Sequence, residues 1–434
     1  MTNKGDLREM NRREFINAST AAASGLLILK SATAFGFQAN SAVRLGLLGC
    51  GNRGTHVASS FSQHTAAQVV ALADLFPDQL AGGRKHFDDL NQSLGRQPID
   101  GSLLFHGPHA YEQLAGSTAV DAIQISTPPV FHVEHLEAAV AAGKHVYCEK
   151  PVGIDVRQAQ KALEIGKRVK PTQSVDVGFQ CRSSPPFAAI AEKIQAGALG
   201  KIGSITAYYF APAAEEKIFP TPNPSADERR LRNWLWYRAL SGDILVEQNI
   251  HIIDLCNWLL GAHPLKARAT GGRNILTHAG DCWDNYQVDF AYPGDVRVSF
   301  SSTQFGTYGL FEAGLGLFGA NGAAKIPYSG DVEIVGDQAW KWQKAPNADT
   351  APAKFAANGA FNDNLALADP EKERSFIDSI VTGPTHNQIA AGVETALSCM
   401  LGRMAGYQGR EVAWSDLLAH GETYELGMKL DQFA

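Results

Sequence analysis

The sequence offers two ionisable side chains that could exchange a proton with a bound hydroxyl group. Lys150 follows the β-like run 145–148, so it lies at the carboxyl end of a predicted strand, where a lysine can donate to a hydroxyl or orient it. His251 lies four residues after Glu247, and the apolar spacing of this region predicts one helix that ends at Gly261. Glu247 and His251 should therefore share one helix face. Histidine suits proton transfer because its pKa lies near neutral pH.

A glycine-rich loop predicts where a dinucleotide binds. Residues 49–54 read G-x-G-x-x-G between the β-like run 43–48 and the helical stretch 55–61. The first glycine permits a tight turn, the second lets a pyrophosphate approach backbone N–H groups, and the third allows close helix–strand packing. Chance alone gives roughly 0.4 such matches in this chain, and a second one occurs at 314–319. The turn signal at 321–322 follows it, so we predict a loop or a strand-edge cluster there.

An acidic residue ends the second predicted strand, 68–74. Asp74 lies 25 residues after Gly49, near the spacing of about 20 at which a carboxylate binds the adenosine ribose hydroxyls. A carboxylate at this place repels a 2′-phosphate, so the sequence favours NAD over NADP as the cofactor. The alternative is that Asp74 is a turn residue at the end of a strand.

The order of predicted elements indicates two kinds of sheet. Alternation of strands and helices in the first half of the chain predicts an α/β fold with a parallel, doubly wound sheet. The second half predicts an α+β region with an open, mostly antiparallel sheet. The predicted strands are 43–48, 68–74, 121–127, 145–148 and 175–180, then 202–210, 267–272, 285–292 and 296–303, with a hairpin turn at 293–295. The predicted helices include 130–142, 186–197, 371–382 and 388–407, and a loop is predicted at 345–358.

Two segments carry a resemblance to a known family. Residues 143–151, which read GKHVYCEKP, and the STPP of residues 126–129 closely resemble the Gfo/Idh/MocA family, whose members are dehydrogenases and related enzymes acting on sugars and cyclitols. The resemblance covers nearly all of the chain after residue 42. It implies an NAD-binding Rossmann domain, residues 43–180, and a C-terminal substrate-binding domain, residues 181–434, whose last helices pack back on the first domain. It also implies a homodimer or homotetramer.

The resemblance further implies roles for individual residues. Lys150 would lie beside the nicotinamide and the reacting hydroxyl, followed by a cis peptide bond to Pro151, and His251 would take the hydroxyl proton. Glu247 and Asn249 stand where the family usually has Asp and Gly, so the substrates of relatives are not carried over. Together, the motifs and the resemblance give three sets of candidate residues. The candidate catalytic residues are Lys150, His251 and Glu247, and the candidate substrate-binding residues are Arg182, Glu247 and Trp236. The candidate cofactor-binding residues are Gly49, Gly51, Asn52, Arg53, Gly54, Asp74, Ser126, Thr127, Pro128, His132, Glu149 and Lys150.

Purely structural roles are the alternatives at several of these positions. Trp236 belongs to an aromatic cluster that could stack on a sugar or form part of the core. His251 could be a buried helix histidine with satisfied hydrogen bonds. For Asp254, on the same predicted helix, we predict an ion-pair partner and not a catalytic group.

Residues 1–42 resemble a twin-arginine export signal. Arg12 and Arg13 precede a soft apolar run at 18–29, and Ala-Thr-Ala at 32–34 offers a cleavage site. This pattern predicts a folded, periplasmic protein that engages the twin-arginine export machinery. The alternative is a frayed amphipathic helix on a cytoplasmic enzyme.

Composition excludes several classes of protein. The chain has 434 residues, 45% of them hydrophobic and 19% charged, which is typical of a globular protein with two or three domains. The chain has no run of about 18 uninterrupted apolar residues, so the sequence predicts no transmembrane helix. The net charge is −6, and residues after 42 hold 33 cations against 41 anions, so we expect no nucleic-acid partner.

The six cysteines are scattered without a C-x-x-C pair, which argues against a disulfide framework or a zinc site. We expect them to be buried and reduced. No His, Cys and Asp spacing indicates any other metal centre.

Taken together, the motifs predict an NAD-dependent oxidoreductase acting on a secondary hydroxyl of a sugar, glycoside or cyclitol. The periplasm holds no useful free NAD pool, so we expect a tightly held NAD(H) that a second sugar-like substrate recycles. One alternative is an NAD-dependent glycoside hydrolase, which oxidises a hydroxyl, eliminates the aglycone, adds water and re-reduces without net redox change. A non-catalytic sugar- or nucleotide-binding protein is a third possibility, which the presence of both Lys150 and His251 disfavours.

Overall fold

A computed structural model of the chain describes residues 42–213, 223–305, 311–343 and 363–434. The predicted export signal and the predicted loop at 345–358 lie outside these ranges.

Six parallel strands form the first sheet, in the order β3-β2-β1-β4-β5-β6. Its strands are β1 (Val43–Leu48), β2 (Ala67–Asp74), β3 (Leu104–His106), β4 (Ala122–Ile125), β5 (His145–Cys148) and β6 (Val175–Val177). Strands such as β4 are buried along their whole length because helices cover both faces of the sheet. The strand order reverses between β1 and β4, and their adjacent carboxyl ends form the crevice where such sheets bind dinucleotides. The predicted doubly wound sheet is confirmed.

The helices of this region are α1 (Asn52–His64), α2 (Pro77–Ser93), α3 (Ala110–Gly116), α4 (His132–Ala141) and α5 (Val156–Arg168). α1 begins within the glycine-rich motif, directly after Gly51, and buries Val57 and Phe61 against β1 and β2. This packing fixes the position of the helix N-terminus at the end of β1.

Nine strands form the second sheet, in the order β14-β13-β12-β11-β7-β10-β9-β8-β15. They are β7 (Ile202–Ala211), β8 (Lys266–Gly272), β9 (Asn285–Ala291), β10 (Arg297–Gln304), β11 (Glu312–Gly319), β12 (Gly322–Pro327), β13 (Glu333–Gly336), β14 (Trp340–Lys341) and β15 (Val412–Ala413). Among the strands of the described ranges, only β7 and β10 of this sheet pair in parallel, so the sheet is mostly antiparallel, as predicted. Alternate residues of β9, for example Tyr286, Val288 and Phe290, are buried, which is typical of a sheet covered on one face.

Eight helices accompany this sheet among the described residues: α6 (Pro185–Gln195), α7 (Ala226–Arg232), α8 (Arg238–Ser241), α9 (Ile244–Glu247), α10 (Ile250–Leu260), α11 (Ala368–Val381), α12 (Ile389–Gln408) and α13 (Trp414–His420). α11 returns to the first sheet, where the ring centroid of Phe376 lies 5.9 Å from that of Phe61 and 5.8 Å from that of Tyr147. α12 packs against both α5 and β8. Both long helices near the end of the chain thus contact elements of the first sheet and its helices.

The second glycine cluster, 314–319, lies within β11 and not in a loop. β11 pairs with β7 on one side and with β12 on the other. A side chain at Gly314 would place its Cβ 2.8 Å from the Cα of Pro327, so the glycine allows the neighbouring strand to approach closely. The turn predicted at 321–322 is confirmed, because the chain turns there from β11 into β12.

The described ranges of the chain bear on three predictions, which concern membrane-spanning helices, metal-binding clusters and cysteines. None of the helices described combines the length and the apolar character needed to cross a bilayer. The same residues hold no cluster of three or more His, Cys, Asp or Glu side chains arranged for a metal ion. All six cysteines are described, and each is buried with a free thiol, as predicted.

Candidate active site

The glycine-rich loop has the shape that a pyrophosphate requires. A Cβ at Gly49 would lie 2.6 Å from the carbonyl oxygen of Ser126, and one at Gly54 would lie 2.0 Å from the carbonyl oxygen of Gly49. No atom lies within 4 Å of the corresponding point at Gly51, where the chain faces open space. No side chain caps the N-terminus of α1, and its first turn carries no acid. The loop therefore fits a phosphate group that approaches Gly51 and binds the free N–H groups of α1.

Asp74 connects this loop to the end of β2. Its carboxylate accepts hydrogen bonds from the backbone N–H of Cys50 at 2.7 Å and from that of Phe76 at 2.8 Å. Burial raises the pKa of Asp74 from 3.8 to about 6, although the two N–H donors oppose this shift. The geometry suits the predicted contact with ribose hydroxyls, since each carboxylate oxygen keeps a further lone pair.

The loop after β4 forms the facing wall of the crevice. Ser126 and Thr127 are half-buried, as is Pro128, and the side chain of Gln124 joins the Ser126 hydroxyl to the carbonyl oxygen of Gly54, both at 3.0 Å. His132, predicted to bind the cofactor, is buried instead. Its Nδ1 lies 2.8 Å from the carbonyl oxygen of Pro151 and its Nε2 lies 2.7 Å from that of Thr127.

Both ring nitrogens of His132 are thus taken up by the backbone. Its side chain connects the loop after β4 to the loop after β5 and has no nitrogen left for a ligand. The Lys150–Pro151 peptide bond in the second of these loops is cis, as the resemblance implied.

Lys150 and Glu247 form a nearly buried pair at the end of β5. The Lys150 Nζ donates to the Glu247 carboxylate at 2.8 Å and to the Glu247 carbonyl oxygen at 2.5 Å. Each side chain is only 12% exposed. An ammonium group has three N–H donors, so one remains available for a substrate oxygen.

His251 lies in the same region with a neutral ring. Burial, followed by the positive charges of Lys150 and Arg53, lowers the pKa of His251 well below its ordinary value. Its ring packs edge-on against Phe179, with centroids 6.4 Å apart, and its buried Nδ1 has no hydrogen-bond partner among the described residues. A neutral imidazole with an unpaired nitrogen is able to accept a proton.

The single helix predicted for residues 242–261 is two helices, so Glu247 and His251 do not share a helix face. Glu247 ends α9, and His251 is the second residue of α10. The carbonyl oxygen of Ile244 accepts from the N–H groups of both Gln248 and Asn249, which closes the first helix before the second begins. The apolar spacing did not reveal this break because both segments are buried almost throughout. The predicted stop at Gly261 is correct, with φ +61°.

Two of the predicted cofactor-binding side chains, Arg53 and Glu149, bind each other. Arg53 donates to Glu149 at 2.8 Å and, through its two terminal nitrogens, to Asp369 of α11 at 2.7 and 2.9 Å. Burial raises the pKa of Glu149, opposed by the charges of Arg53 and Lys150. The guanidinium of Arg53 thus secures α11 to the glycine-rich loop, while the side chain of Asn52 is exposed.

The predicted substrate-binding residues Arg182 and Trp236 occupy structural positions. Arg182 binds the buried carboxylate of Asp254 at 2.6 and 2.7 Å, which is the ion pair expected for Asp254. Trp236 is 1% exposed, with its ring 4.2 Å from that of His278, so it belongs to the core and offers no face to a sugar. The Arg182 fork retains one free nitrogen, whereas Trp236 retains no accessible surface.

The sequence did not reveal a group of side chains that meets around Phe76, just after the carboxyl end of β2. The Arg232 guanidinium lies 3.9 Å from the ring centroid of Phe76 and binds Asp78 at 2.7 and 3.0 Å. Phe433, near the end of the described chain, packs edge-on against Phe76 with centroids 5.5 Å apart. Phe76 lies two residues after Asp74, so these contacts stand at the rim of the predicted ribose site. No spacing rule relates residues so distant in the chain.

Two family models match the chain. The Gfo/Idh/MocA oxidoreductase family model, described as an NAD-binding Rossmann fold, matches residues 43–177. The Gfo/Idh/MocA C-terminal domain model matches residues 187–340.

Individual relatives agree with these matches. The chain is 27% identical over 294 residues to inositol 2-dehydrogenase of Rhizobium meliloti, covering 67% of this chain and 78% of that protein. It is 33% identical over 151 residues to a glycosyl hydrolase family 109 protein of Solibacter usitatus, covering 35% of this chain and 33% of that protein. The structure of scyllo-inositol dehydrogenase from Lactobacillus casei with NAD(H) and scyllo-inositol matches with a TM-score of 0.62 and 18% identity, over 86% of this chain and 99% of that chain.

Proposed function

Because the chain belongs to the Gfo/Idh/MocA oxidoreductase family, we propose that it transfers hydride between a secondary hydroxyl carbon of a sugar, glycoside or cyclitol and a tightly held NAD. The observation that carries this proposal is the group formed by Lys150, Glu247 and the neutral His251. It lies at the carboxyl end of β5, in the sheet whose glycine-rich loop fits a dinucleotide. The relative named inositol 2-dehydrogenase supports a polyol substrate.

Each side chain has a role that follows from its geometry. NAD, when bound, accepts or returns the hydride. His251 takes the hydroxyl proton, because its ring is neutral and its Nδ1 is unpaired. Lys150 donates its third N–H to the reacting oxygen, and Glu247 holds the ammonium in place through two oxygens.

Contacts at the adenosine rim support tight retention of the cofactor. The carbonyl oxygen of Leu426 accepts from Arg230, and Gln432 donates to Asp227, so α7 fixes the final segment of the chain. That segment then reaches Phe76 through Phe433. We infer that these contacts hold the final segment at the adenosine end of the crevice, where it would slow the release of the cofactor.

The first experiment measures cofactor content. The protein is purified without added nucleotide and denatured, and the released molecules are identified by mass spectrometry. We expect NAD(H) in a near-stoichiometric amount. A protein that emerges empty and binds NAD weakly would contradict the tightly held cofactor.

A glycoside hydrolase that works by oxidation, elimination, hydration and re-reduction is the second candidate function. The relative named glycosyl hydrolase family 109 favours it, over about one third of the chain. A panel of sugars, cyclitols and aryl glycosides separates the two functions. Ketone formation with reduced cofactor supports the oxidoreductase, whereas release of the aglycone without net change in NADH supports the hydrolase.

We also propose that the protein is exported folded, with its cofactor, through the twin-arginine route. Arg12 and Arg13 and the cleavage site at 32–34 support this proposal. Cell fractionation of the wild type and of an Arg12→Lys, Arg13→Lys variant tests it. We expect the wild type to appear shortened in the periplasm and the variant to remain uncleaved in the cytoplasm; a wild type found only in the cytoplasm would refute export.

A further inference from the structure

We propose that Asp243 is the positioning residue that holds Lys150 and Glu247 in their reactive arrangement. Asp243 precedes α9 and is fully buried. It contacts neither the glycine-rich loop nor Lys150 directly, but it fixes the short helix that carries Glu247. The inference rests on the proposed function for its meaning in catalysis, although one of its tests does not require turnover.

The backbone of Asp243 is strained. Its φ is +80° and its ψ is 163°, a region that glycine occupies freely and other residues rarely adopt. Gly242, immediately before it, has φ +84°, so the chain makes two unusual turns in succession. A non-glycine residue persists in such a conformation only where its surroundings over-determine it. Asp243 must therefore be fixed by its side chain.

Four donors from three parts of the chain hold the Asp243 carboxylate. Tyr407 of α12 donates its hydroxyl at 2.6 Å, and Tyr286 of β9 donates at 3.0 Å. The backbone N–H of Trp283 lies at 3.3 Å, and that of Ile244 donates at 2.6 Å as the helix cap. The carboxylate thus connects the second sheet and α12 to the start of α9.

The backbone of the same residue carries this restraint to the site. The carbonyl oxygen of Asp243 accepts the N–H of Glu247 at 2.9 Å, and Glu247 in turn binds the Lys150 ammonium through two oxygens. The buried Arg403 adds a parallel link, because it donates to the carbonyl oxygens of Gly242 at 2.7 Å and Ile154 at 2.9 Å. Arg403 thereby holds the turn before Asp243 against the loop that follows Lys150. The first route thus reaches the Lys150–Glu247 pair directly, and the second holds the two chain segments that carry Lys150 and Asp243 against each other.

The test compares variants that loosen Asp243 with one that does not. Asp243→Gly relieves the backbone strain and removes the carboxylate, and Tyr407→Phe removes one donor without altering the backbone. Tyr292→Phe is the matched control, because its buried hydroxyl donates to Asn257 at 2.7 Å and not to Asp243.

Two measurements report on positioning. The first is the rate at which Lys150 is methylated by formaldehyde and borohydride, followed by peptide mass spectrometry, which needs no substrate. We expect this rate to rise several-fold in Asp243→Gly and less in Tyr407→Phe, because the ammonium loses its fixed partner. The second is steady-state kinetics, where kcat should fall roughly 10- to 100-fold in Asp243→Gly while the affinity for NAD stays unchanged.

If Tyr407→Phe and Tyr292→Phe show the same Lys150 labelling and the same kcat, Asp243 is a structural residue only and the proposal is overturned. Tyr407→Phe keeps this comparison valid even if Asp243→Gly fails to fold. If the wild type oxidises no sugar, the proposed function fails, and the labelling rates still decide whether Asp243 positions Lys150.

Discussion

The two ends of the cofactor crevice differ in the chemical groups that form them. At the adenosine end, backbone atoms form the site: three glycines, the free N-terminus of α1 and the N–H groups that hold Asp74. At the other end, charged side chains from distant elements meet, and Lys150 binds a partner 97 residues further along the chain. The first end is shaped by steric fit and the second by hydrogen bonds between charged groups.

This difference separates the expected effects of substitution. At the adenosine end, we expect an added methyl group to impair folding where backbone atoms already fill the space. Where the space is open to the ligand, we expect it to impair binding of the cofactor. At the Lys150 end, we expect the removal of a charge to alter turnover, because the proposed function assigns the groups there to the reacting hydroxyl and not to the binding of the whole cofactor. The predictions below test this separation, beginning with the largest effect.

We expect Lys150→Met to lower kcat by at least about 10²-fold and His251→Asn to do the same, because the first removes the proposed hydrogen-bond donor to the reacting oxygen and the second removes the proposed proton acceptor. Both variants should retain NAD. Turnover and released NAD are measured on the same preparations. Lys167→Met is the control, since Lys167 lies exposed on α5 and pairs only with Glu164. Near-normal turnover in either variant would remove that residue from the mechanism.

The glycine-rich loop should give two distinct outcomes. Gly51 has an ordinary φ of −73°, and no atom lies within 4 Å of the place that a Cβ would take. We therefore expect Gly51→Ala to fold normally while its affinity for NAD falls at least about tenfold. Gly54→Ala forces its Cβ against a carbonyl oxygen, so we expect an unfolding free energy lower by about 1–3 kcal/mol or more. Gly82→Ala, on the exposed face of α2, serves as the control and should stabilise slightly.

Thermal unfolding and NAD titration measure these effects. Equal losses of stability in Gly51→Ala and Gly54→Ala would show that the loop needs both glycines only for folding. The contrast between the two ends would then not hold.

The adenosine end was predictable from the sequence because its parts are neighbours in the chain. Gly49, Gly54 and Asp74 lie within 26 residues, and the strand–turn–helix order that gives them meaning is visible in the periodicity. At the Lys150 end, the residue types were identified, but the break between Glu247 and His251 was not, because a buried segment shows no amphipathic contrast. Arg53 and Arg182 were assigned to ligands because the pattern of a segment cannot reveal a carboxylate that arrives from a distant helix.

The affinity for NAD should depend on pH through Asp74. Its pKa of about 6 lies above the ordinary 3.8, so the carboxylate is ionised only above about pH 6. Ribose hydroxyls donate to the ionised form, and we expect affinity to be constant above pH 7 and to fall below pH 6, approaching tenfold per unit. Calorimetric titration of the cofactor-free protein from pH 5 to 8 measures this. Asp74→Asn should bind more weakly at pH 7.5 and lose the pH dependence.

The stability of the cofactor-free protein should change in the opposite direction. A carboxyl group whose pKa is raised by folding stabilises the folded state fully below its unfolded pKa, and this contribution is lost as the pH rises through about 6. Asp74→Asn removes this contribution. The unfolding free energy of the wild type should therefore fall, relative to that of Asp74→Asn, as the pH rises from 4 to 6. If it rose instead, together with the affinity for NAD, the raised pKa assigned to Asp74 would be wrong.

The smallest effect is expected from the side-chain contacts around Phe76, which lie at the rim of the backbone site and outside it. Phe433→Ala and Arg232→Gln each remove a contact with Phe76, and such aromatic and cation–π contacts are worth about 0.5–1.5 kcal/mol. We expect the dissociation rate of NAD to rise roughly 2- to 10-fold, with kcat unchanged where release is not rate-limiting. Rapid dilution into a NAD-capturing enzyme measures the rate. Arg84→Gln, which breaks an Arg–Asp pair elsewhere on α2, is the matched control. Equal rates in all three variants would mean that the rim does not retain the cofactor, and that the backbone loop alone determines how long it stays.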